Sequence, residues 1–352
     1  MTAPDPEALP GIARAQVEGW LTEALPGSRA PYAFNLVAAG GSNLTFLLTD
    51  ADGRRWALRR PPVGRALATA HDVLREWRVL TALHDHDTGV AVPKPVALCE
   101  DEAVTGAPFY VMGFADGTIL RIASDAERLD PGVLRAAAES LLTTQIALHA
   151  VDADAVGLAD LGPPTGYVER QLERWRRQYD DGRVRRVHLI EELHHRLART
   201  VPPERDRSGL LHGDYRFDNV VIDDTGLVVA VLDWELCTRG DPVADACWSL
   251  QYWADPDDEA TFLTSSPTTA AALPRRREML GRYAALSGRP LDQWPWFEVF
   301  GWWKMACIVE GVHARRSKGQ GAGARSGSLE SIAARADAFL RVAEQKAQAL
   351  GL

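Results

Sequence analysis

The sequence is poor in lysine and has no excess of positive charge. Only four of its 39 basic residues are lysine and the rest are arginine, while 48 acidic residues give the 352-residue chain a net charge of −9. This balance argues against a general nucleic-acid-binding protein, because such proteins need a basic surface for the phosphate backbone. Long hydrophobic runs are also missing. No stretch approaches the ~18 consecutive apolar residues of a transmembrane helix, so we expect no membrane span.

Cysteine is scarce, and its spacing suggests no pairing. The four cysteines show no Cys-x-x-Cys motif: Cys99, Cys237, Cys247 and Cys307. Such a distribution favours reduced, buried thiols over a disulfide framework or a zinc site. Residues 1–10 are polar and proline-rich, without the apolar stretch of a secretory signal. These absences predict a soluble, cytoplasmic protein.

The first hundred or so residues alternate short β-like runs with turns. Five strands are expected, at Phe34–Ala38, Leu44–Thr49, Arg55–Arg60, Val96–Cys99 and Phe109–Phe114. The four-residue gap Asp50–Gly53 ends in Asp-Gly, so the second and third strands should form an antiparallel hairpin. A helical period of apolar residues over 66–84 predicts a helix between the third and fourth strands.

The remainder of the chain has mostly helical patterns. Helices are expected over Pro131–His149, over Gly166–Thr200 with a break near Asp180–Gly182, and from Ala244 onward. A short β-like island separates them, at Leu210–Leu211, Val220–Ile222 and Leu227–Leu232. The predicted fold class is therefore α+β with two lobes: a small, β-rich lobe of residues 1–115 and a larger, mostly helical lobe of residues 116–352.

The most informative segment is a polar cluster between the apolar strands of the island. Asp214 and Asn219 lie five residues apart on one loop, and Asp233 directly follows a six-residue apolar strand. Phosphoryl transfer from a nucleotide needs a carboxylate to accept a proton, plus oxygen ligands for Mg²⁺. Carboxylate and amide oxygens are the hard ligands that Mg²⁺ prefers. The cluster therefore predicts a phosphotransfer site.

This segment resembles the aminoglycoside phosphotransferase family, which includes choline kinases and has a protein-kinase-like fold. His212-Gly213-Asp214 with Asn219 matches the family's HGDxxxxN loop, and Asp233 matches its second metal-binding motif. The resemblance implies that Asp214 is the base for an acceptor hydroxyl, and that Asn219 and Asp233 hold Mg²⁺. The alternative is a chance loop match with a structural aspartate.

Two neighbours of Asp214 also have expected roles, and that of Arg216 follows from the same resemblance. Arg216 stands where protein kinases often have a lysine near the transferred phosphate. His212 is expected to brace the backbone of the catalytic loop and not to titrate during catalysis.

The small lobe should supply the phosphate clamp. Gly40, Gly41, Ser42 and Asn43 lie between two predicted strands, where backbone N–H groups could cradle phosphates. The segment is not a G-x-G-x-x-G motif, and a plain hairpin turn is the alternative.

Further nucleotide-binding residues follow from the kinase resemblance. Ala57 and Arg59 occupy the position of the kinase V-A-I-K strand, with arginine in place of the usual lysine. Glu76 on the next predicted helix is the expected partner of Arg59, and a solvated surface charge is the alternative. Met112 and Phe114 lie in a segment that looks like the interlobe hinge, whose backbone would bind adenine. A simple buried strand is the alternative there.

A closer resemblance extends over nearly the whole chain, to the kinase domains of acyl-CoA dehydrogenase family members 10 and 11. It rests on three segments: Gly40–Thr45, Leu58–Pro62 and Gly240–Asp245. The resemblance implies an enzyme that uses ATP and Mg²⁺ to phosphorylate a hydroxyl of a small molecule, with hydroxyacyl-CoA as one acceptor class. Two other functions stay open: an aminoglycoside-modifying resistance enzyme and a catalytically silent nucleotide-binding protein. The oligomeric state cannot be inferred.

Other features have ordinary structural explanations that we prefer. Asp241 and Asp245 are expected to cap a helix, and Glu235 is equally compatible with metal binding and a structural role. Solvated or core positions are expected for three further groups. These are the histidines His84, His86, His194 and His195, the arginines Arg170, Arg174, Arg176 and Arg177, and the late tryptophans Trp248, Trp253, Trp294, Trp296, Trp302 and Trp303. For the arginines the alternative is contact with an anionic acceptor, and one or two tryptophans could line an acceptor pocket.

Overall fold

The computed structural model describes residues 9–39, 43–63, 73–204, 208–255, 258, 266–319 and 327–352. Three of the predicted phosphate-binding residues, Gly40, Gly41 and Ser42, lie outside these ranges. The first residues of the predicted helix 66–84 and part of the glycine-rich segment 317–328 lie outside them as well.

An antiparallel five-stranded sheet forms the N-terminal part of the fold. Its strands run in the spatial order β1–β2–β3–β5–β4. They are β1 (Ala33–Ala39), β2 (Leu44–Thr49), β3 (Arg55–Arg60), β4 (Pro95–Cys99) and β5 (Phe109–Gly113). All five predicted strands are confirmed, and the Asp50–Gly53 turn joins β2 to β3 as an antiparallel hairpin.

Three helices accompany this sheet. They are α1 (Arg14–Ala24), α2 (Val73–Asp85) and α3 (Glu102–Thr105). Helix α1, which the sequence did not predict, buries Val17 and Leu21 completely, and Trp20 packs edge-on against Phe109 of β5 with ring centroids 4.9 Å apart. Helix α2 buries Glu76 along with its apolar face, and this carboxylate contacts Arg59 of β3.

The remainder of the described chain is mostly helical, so the α+β prediction is confirmed. Its helices are α4 (Ala123–Ala126), α5 (Pro131–Ala150), α6 (Tyr167–Gly182), α7 (His188–Arg199), α8 (Pro242–Gln251), α9 (Arg276–Ser287), α10 (Trp294–Ser317) and α11 (Leu329–Leu350). The predicted break between α6 and α7 falls at residues 183–187. Helix α10 packs along α11, with Trp302 against Phe339. None of the helices within the described ranges is long and apolar enough to span a membrane.

Two short antiparallel ribbons lie among these helices and position the polar cluster. In the first, β6 (Gly209–Leu211) pairs with β9 (Thr238–Gly240). In the second, β7 (Val220–Ile222) pairs with β8 (Val228–Val231). Strand β9 was not predicted, because Thr238-Arg239-Gly240 lacks the apolar run that marks the other short strands. The loop from β6 to β7 and the segment after β8 therefore meet at one end of both ribbons.

Candidate active site

The loop between β6 and β7 carries the predicted catalytic residues, and His212 fixes its shape. Its imidazole is fully buried. The N–H of Asp214 donates to His212 Nδ1 (3.2 Å), so the ring proton is on Nε2, which donates to the carbonyl oxygen of Leu232 (2.8 Å). The ring thus joins the loop to the residue just before Asp233, as expected for a bracing group.

The Asp214 carboxylate has a donor on each oxygen. The amide of Asn219 donates to Asp214 Oδ2 (3.0 Å), and the Arg216 guanidinium lies 3.2 Å from Oδ1. Arg216 also donates to Asp218 (3.0 Å) and stacks over the ring of Tyr252. Both contacts fix the orientation of the Asp214 carboxylate. Since the Asn219 amide nitrogen is engaged with Asp214, its Oδ1 is the atom left for another partner.

Asp245 supports the same loop, contrary to its expected role as a helix cap. Its side chain is fully buried; one oxygen accepts the N–H of Gly213 (3.0 Å), and the other lies 3.1 Å from His149 Nε2. Asp241, in contrast, does cap α8 by accepting the N–H groups of Val243 and Ala244. The Gly-Asp-Pro signal located the helix start, but it did not show that the next aspartate points back to the catalytic loop.

An ion-pair network joins β3 and α2 to the segment after β8. Arg59 Nε lies 2.7 Å from Glu76 Oε2, and its Nη2 donates to Asp233. Glu76 also accepts hydrogen bonds from Asn43 (2.7 Å) and the Tyr110 hydroxyl (2.8 Å). Burial opposes the charge on Arg59, but Glu76 and Asp233 outweigh it and keep the pKa of the guanidinium above its ordinary value. The predicted Arg59–Glu76 contact is therefore present, and Glu76 is not a solvated charge.

Asp233, whose carboxylate accepts a hydrogen bond from Arg59, has a left-handed backbone. Its φ of 67° is the only positive value among the described residues that are not glycine. Aspartate is one of the few side chains that tolerate this conformation without large strain.

The oxygen atoms around Asp233 suit a divalent cation. Glu76, Asp233 and Glu235 offer carboxylate oxygens within 4.8 Å of one another, the one such group in the part of the chain that the structure describes. Hard carboxylate oxygens fit the preference of Mg²⁺.

A cleft of about 410 Å³ opens between the sheet and the ribbons. Its lining includes eight of the predicted residues or their neighbours: Ala57, Arg59, Met112, Gly113, Phe114, Arg216, Asn219 and Asp233. The N–H of Gly113 donates to the carbonyl of Lys94 (2.8 Å), so this hinge donor is engaged within the protein. The residues predicted from separate motifs thus face one cavity.

A second cavity of about 530 Å³ lies on the other side of Asp214. Asp214, Tyr252, Trp248, Trp175 and Lys304 are among its lining residues. Trp248 is one of the tryptophans for which a pocket role was considered. Arg174 also lines it, whereas Arg176 pairs with Asp180. Sequence reasoning missed Lys304 and Trp175, since they lie on long helices without a recognisable motif.

Comparison with protein-family models matches residues 34–286 to the phosphotransferase enzyme family. The chain is 35% identical over 312 residues to acyl-CoA dehydrogenase family member 11 of Gallus gallus, covering 86% of this chain and 40% of that protein. It is 33% identical over 305 residues to family member 10 of Mus musculus, covering 84% and 28%. The chain thus spans well under half the length of these relatives.

Solved structures show the same fold. A Ralstonia eutropha JMP134 protein, provisionally described as an aminoglycoside phosphotransferase, has a TM-score of 0.79 and 30% identity, covering 95% of this chain and 98% of that one. Aminoglycoside phosphotransferase APH(4)-Ia, in a ternary complex with AMP-PNP and hygromycin B, has a TM-score of 0.59 and 17% identity, covering 93% and 98%. The second likeness concerns the fold alone. The predicted two-lobe, kinase-like architecture is confirmed.

Proposed function

Because the chain belongs to the phosphotransferase enzyme family, we propose that it transfers the γ-phosphate of ATP to a hydroxyl of a small molecule. In this proposal residues 1–115 form the nucleotide-binding lobe, and residues 116–352 supply the base and the acceptor site. A hydroxyacyl-CoA-type metabolite is the acceptor class that we favour.

The position of Asp214 between two cavities carries the proposal. Its carboxylate faces the 530 Å³ cavity, while Asn219, bonded to the same carboxylate, lines the 410 Å³ cleft. A base at this boundary can reach an acceptor on one side while a nucleotide phosphate approaches from the other. Phosphoryl transfer needs this in-line arrangement more than it needs covalent chemistry from the protein.

The proposed reaction follows from these contacts. The acceptor hydroxyl donates to Asp214, which takes its proton as the hydroxyl oxygen bonds to phosphorus and the bond to the ADP oxygen breaks. Arg216, which lines the cleft, offsets negative charge on the transferred group. Asn219, Asp233 and the carboxylates beside it would hold Mg²⁺, which neutralises phosphate charge when bound with the nucleotide. Arg59 offsets charge on the other phosphates in place of a lysine.

The charges of the 530 Å³ cavity favour an acceptor other than an aminoglycoside. Three cations line it, the buried Lys304, the half-buried Arg75 and the exposed Arg174, against two carboxylates, Asp214 and Glu235. This excess of positive charge would repel a polycationic aminoglycoside and attract an acceptor with negative charge.

The test is ADP release with Mg·ATP in the presence of either hydroxyacyl-CoAs or aminoglycosides, with Asp214→Asn as the control. We expect release that depends on a hydroxyacyl-CoA and that is lost in the variant. Release driven by aminoglycosides would replace the proposed acceptor class. Nucleotide binding without ADP release, whichever of the two sets of acceptors is added, would favour a catalytically silent protein.

A further inference from the structure

Lys304 is a cation on α10 that is buried against two indole rings. It is 5% exposed, and its ammonium lies 3.4 Å from the ring centroid of Trp248 and 5.4 Å from that of Trp175. Among the described residues, no carboxylate forms an ion pair with it and no oxygen accepts a hydrogen bond from it. The two indole faces therefore provide its contacts within the protein.

A lysine in this state is unusual, because burying a charge without a hydrogen-bonded partner is costly. The indole faces offset part of the cost, but they leave three N–H donors without an acceptor. Burial accordingly lowers the pKa of Lys304 to about 7. An apolar side chain at the same helical position would bury its surface without this cost, so packing alone does not account for a cation here.

The ammonium shares its cavity with the proposed base. Lys304 and Asp214 both line the 530 Å³ space, with Trp175 and Trp248 among its walls. A molecule whose hydroxyl contacts Asp214 therefore lies in the cavity into which the ammonium points. Recognition of one part of the acceptor by Lys304 would place another part at the base.

We propose that Lys304 binds a carboxyl-derived oxygen of the acceptor, either a free carboxylate or a thioester carbonyl, while a hydroxyl of the same molecule lies at Asp214. The inference rests on the proposed phosphotransfer and adds the residue that selects the acceptor. A planar group with one negative or polarised oxygen suits a single ammonium between aromatic faces. A phosphate dianion would call for a second buried cation. Of the two other cations that line the cavity, Arg174 is exposed and Arg75 donates to the backbone carbonyls of Leu161 and Cys237.

Kinetic comparison of matched acceptors tests the inference. The acceptors are 2-, 3- and 4-hydroxybutyrate, their CoA thioesters, and the matching 1,2-, 1,3- and 1,4-butanediols. The diols carry a neutral C1 hydroxyl in place of the carboxylate or thioester carbonyl. We expect Lys304→Met to raise the KM for the carboxylates or for the thioesters by about tenfold or more, with little effect on the diols. The responding set identifies which of the two sources supplies the oxygen. Lys304→Arg should restore part of the loss, because it keeps a cation.

The matched control is Lys318→Met, which removes a lysine from the exposed end of the same helix. It should leave every KM unchanged. Melting temperatures of all variants will show whether each one folds, and methionine should keep the packing against Trp248.

A second measurement detects binding without transfer. The chain has four lysines, so protein labelled with [ε-¹³C]lysine should give four resolved NMR signals, each assignable by substitution. We expect the Lys304 signal to move when a hydroxybutyrate or its thioester is added, and not when a butanediol is added. The signals of Lys94, Lys318 and Lys346 should stay in place.

The two measurements separate failure of this inference from failure of the proposed function. Transfer to hydroxybutyrates or their thioesters with equal KM in wild type and Lys304→Met would overturn the role of Lys304 and leave the kinase intact. A Lys304 signal that moves with neither the hydroxybutyrates nor their thioesters would also overturn the role of Lys304. A selective signal change without ADP release from any acceptor would support the binding role and refute the phosphotransfer.

Discussion

The cleft lined by Asn219 and the cavity lined by its partner Asp214 differ in how their cations are paired. In the cleft, Arg59 is already paired with Glu76 and Asp233. In the other cavity, Lys304 is buried more deeply than Arg59, and among the described residues its ammonium contacts the faces of Trp175 and Trp248 without forming an ion pair. The cation of the cleft is thus neutralised by carboxylates of the protein itself, whereas Lys304, on the proposed acceptor side, can pair with a ligand.

This difference indicates how the two halves of a phosphotransfer site can be built. Paired charges hold side chains in place, so the cleft can receive a common co-substrate in a fixed geometry. An unpaired buried cation costs stability, and a complementary anion relieves that cost, which makes it suitable for selection among acceptors. Three substitutions and one change of condition test this contrast between the two cavities.

The largest effect should come from Asp214→Asn, which removes the base between the cavities. Asparagine keeps the shape but cannot accept the proton, so the rate of ADP release should fall by about 100-fold or more while the Kd for ATP stays nearly unchanged. Steady-state kinetics and calorimetric titration with ATP measure the two quantities. Asp224→Asn, in the exposed turn between β7 and β8, is the control. Unchanged turnover would remove Asp214 from the role of base.

Next in size should be the loss of stability in Glu76→Gln. The glutamate is 1% exposed and pairs with Arg59, and removing one partner of such a pair costs about 3 kcal/mol. Urea unfolding measures the change. Glu298→Gln, which breaks the more exposed pair with Lys346, should cost less than about 1 kcal/mol. Equal losses of unfolding free energy in the two variants would show that the Arg59–Glu76 pair contributes no more to stability than a surface ion pair.

A smaller effect is expected from Asp245→Asn, which disturbs the support of the catalytic loop. The amide cannot accept from both Gly213 and His149, so the loop should shift and kcat should fall about tenfold, with ATP affinity retained. Asp241→Asn is a close control, since asparagine also caps helices well. A wild-type kcat in Asp245→Asn would mean that the loop holds its shape by itself.

The smallest effect should be a pH dependence confined to the acceptor side. The pKa of Lys304 is lowered to about 7 by burial; Asp245 and Asp214 oppose this shift and Arg174 adds to it. A carboxylate acceptor binds the protonated amine, so its KM should be lowest below pH 7. Above pH 7 the KM should rise, with a slope that approaches about tenfold per pH unit. Lys304→Arg, which does not titrate in this range, should show a flat KM. A wild-type KM that stays flat from pH 6 to 8 would contradict the prediction.

Sequence reasoning located the cleft better than the acceptor cavity, for a physical reason. Asp214 and Asn219 share one loop, and a short strand fixes Asp233 beside them, so local spacing was enough. Lys304, Trp175 and Asp245 come from three helices whose approach depends on tertiary packing, which single-sequence patterns do not encode. Helix α1 was missed because Gly19 weakens its helical signal. The phosphate-binding role of residues 40–42 stays a prediction, since they lie outside the described ranges.

The left-handed backbone of Asp233 limits which residues can replace it. Most side chains would strain the main chain at this φ, and only asparagine and glycine share the tolerance of aspartate. Asparagine therefore offers a clean exchange of charge without a change of shape, whereas alanine would alter both the backbone and the chemistry. In a library of substitutions at this position, variants that tolerate the left-handed backbone should therefore be expressed in higher yield than the others. Differences in activity should then appear among the variants that tolerate it.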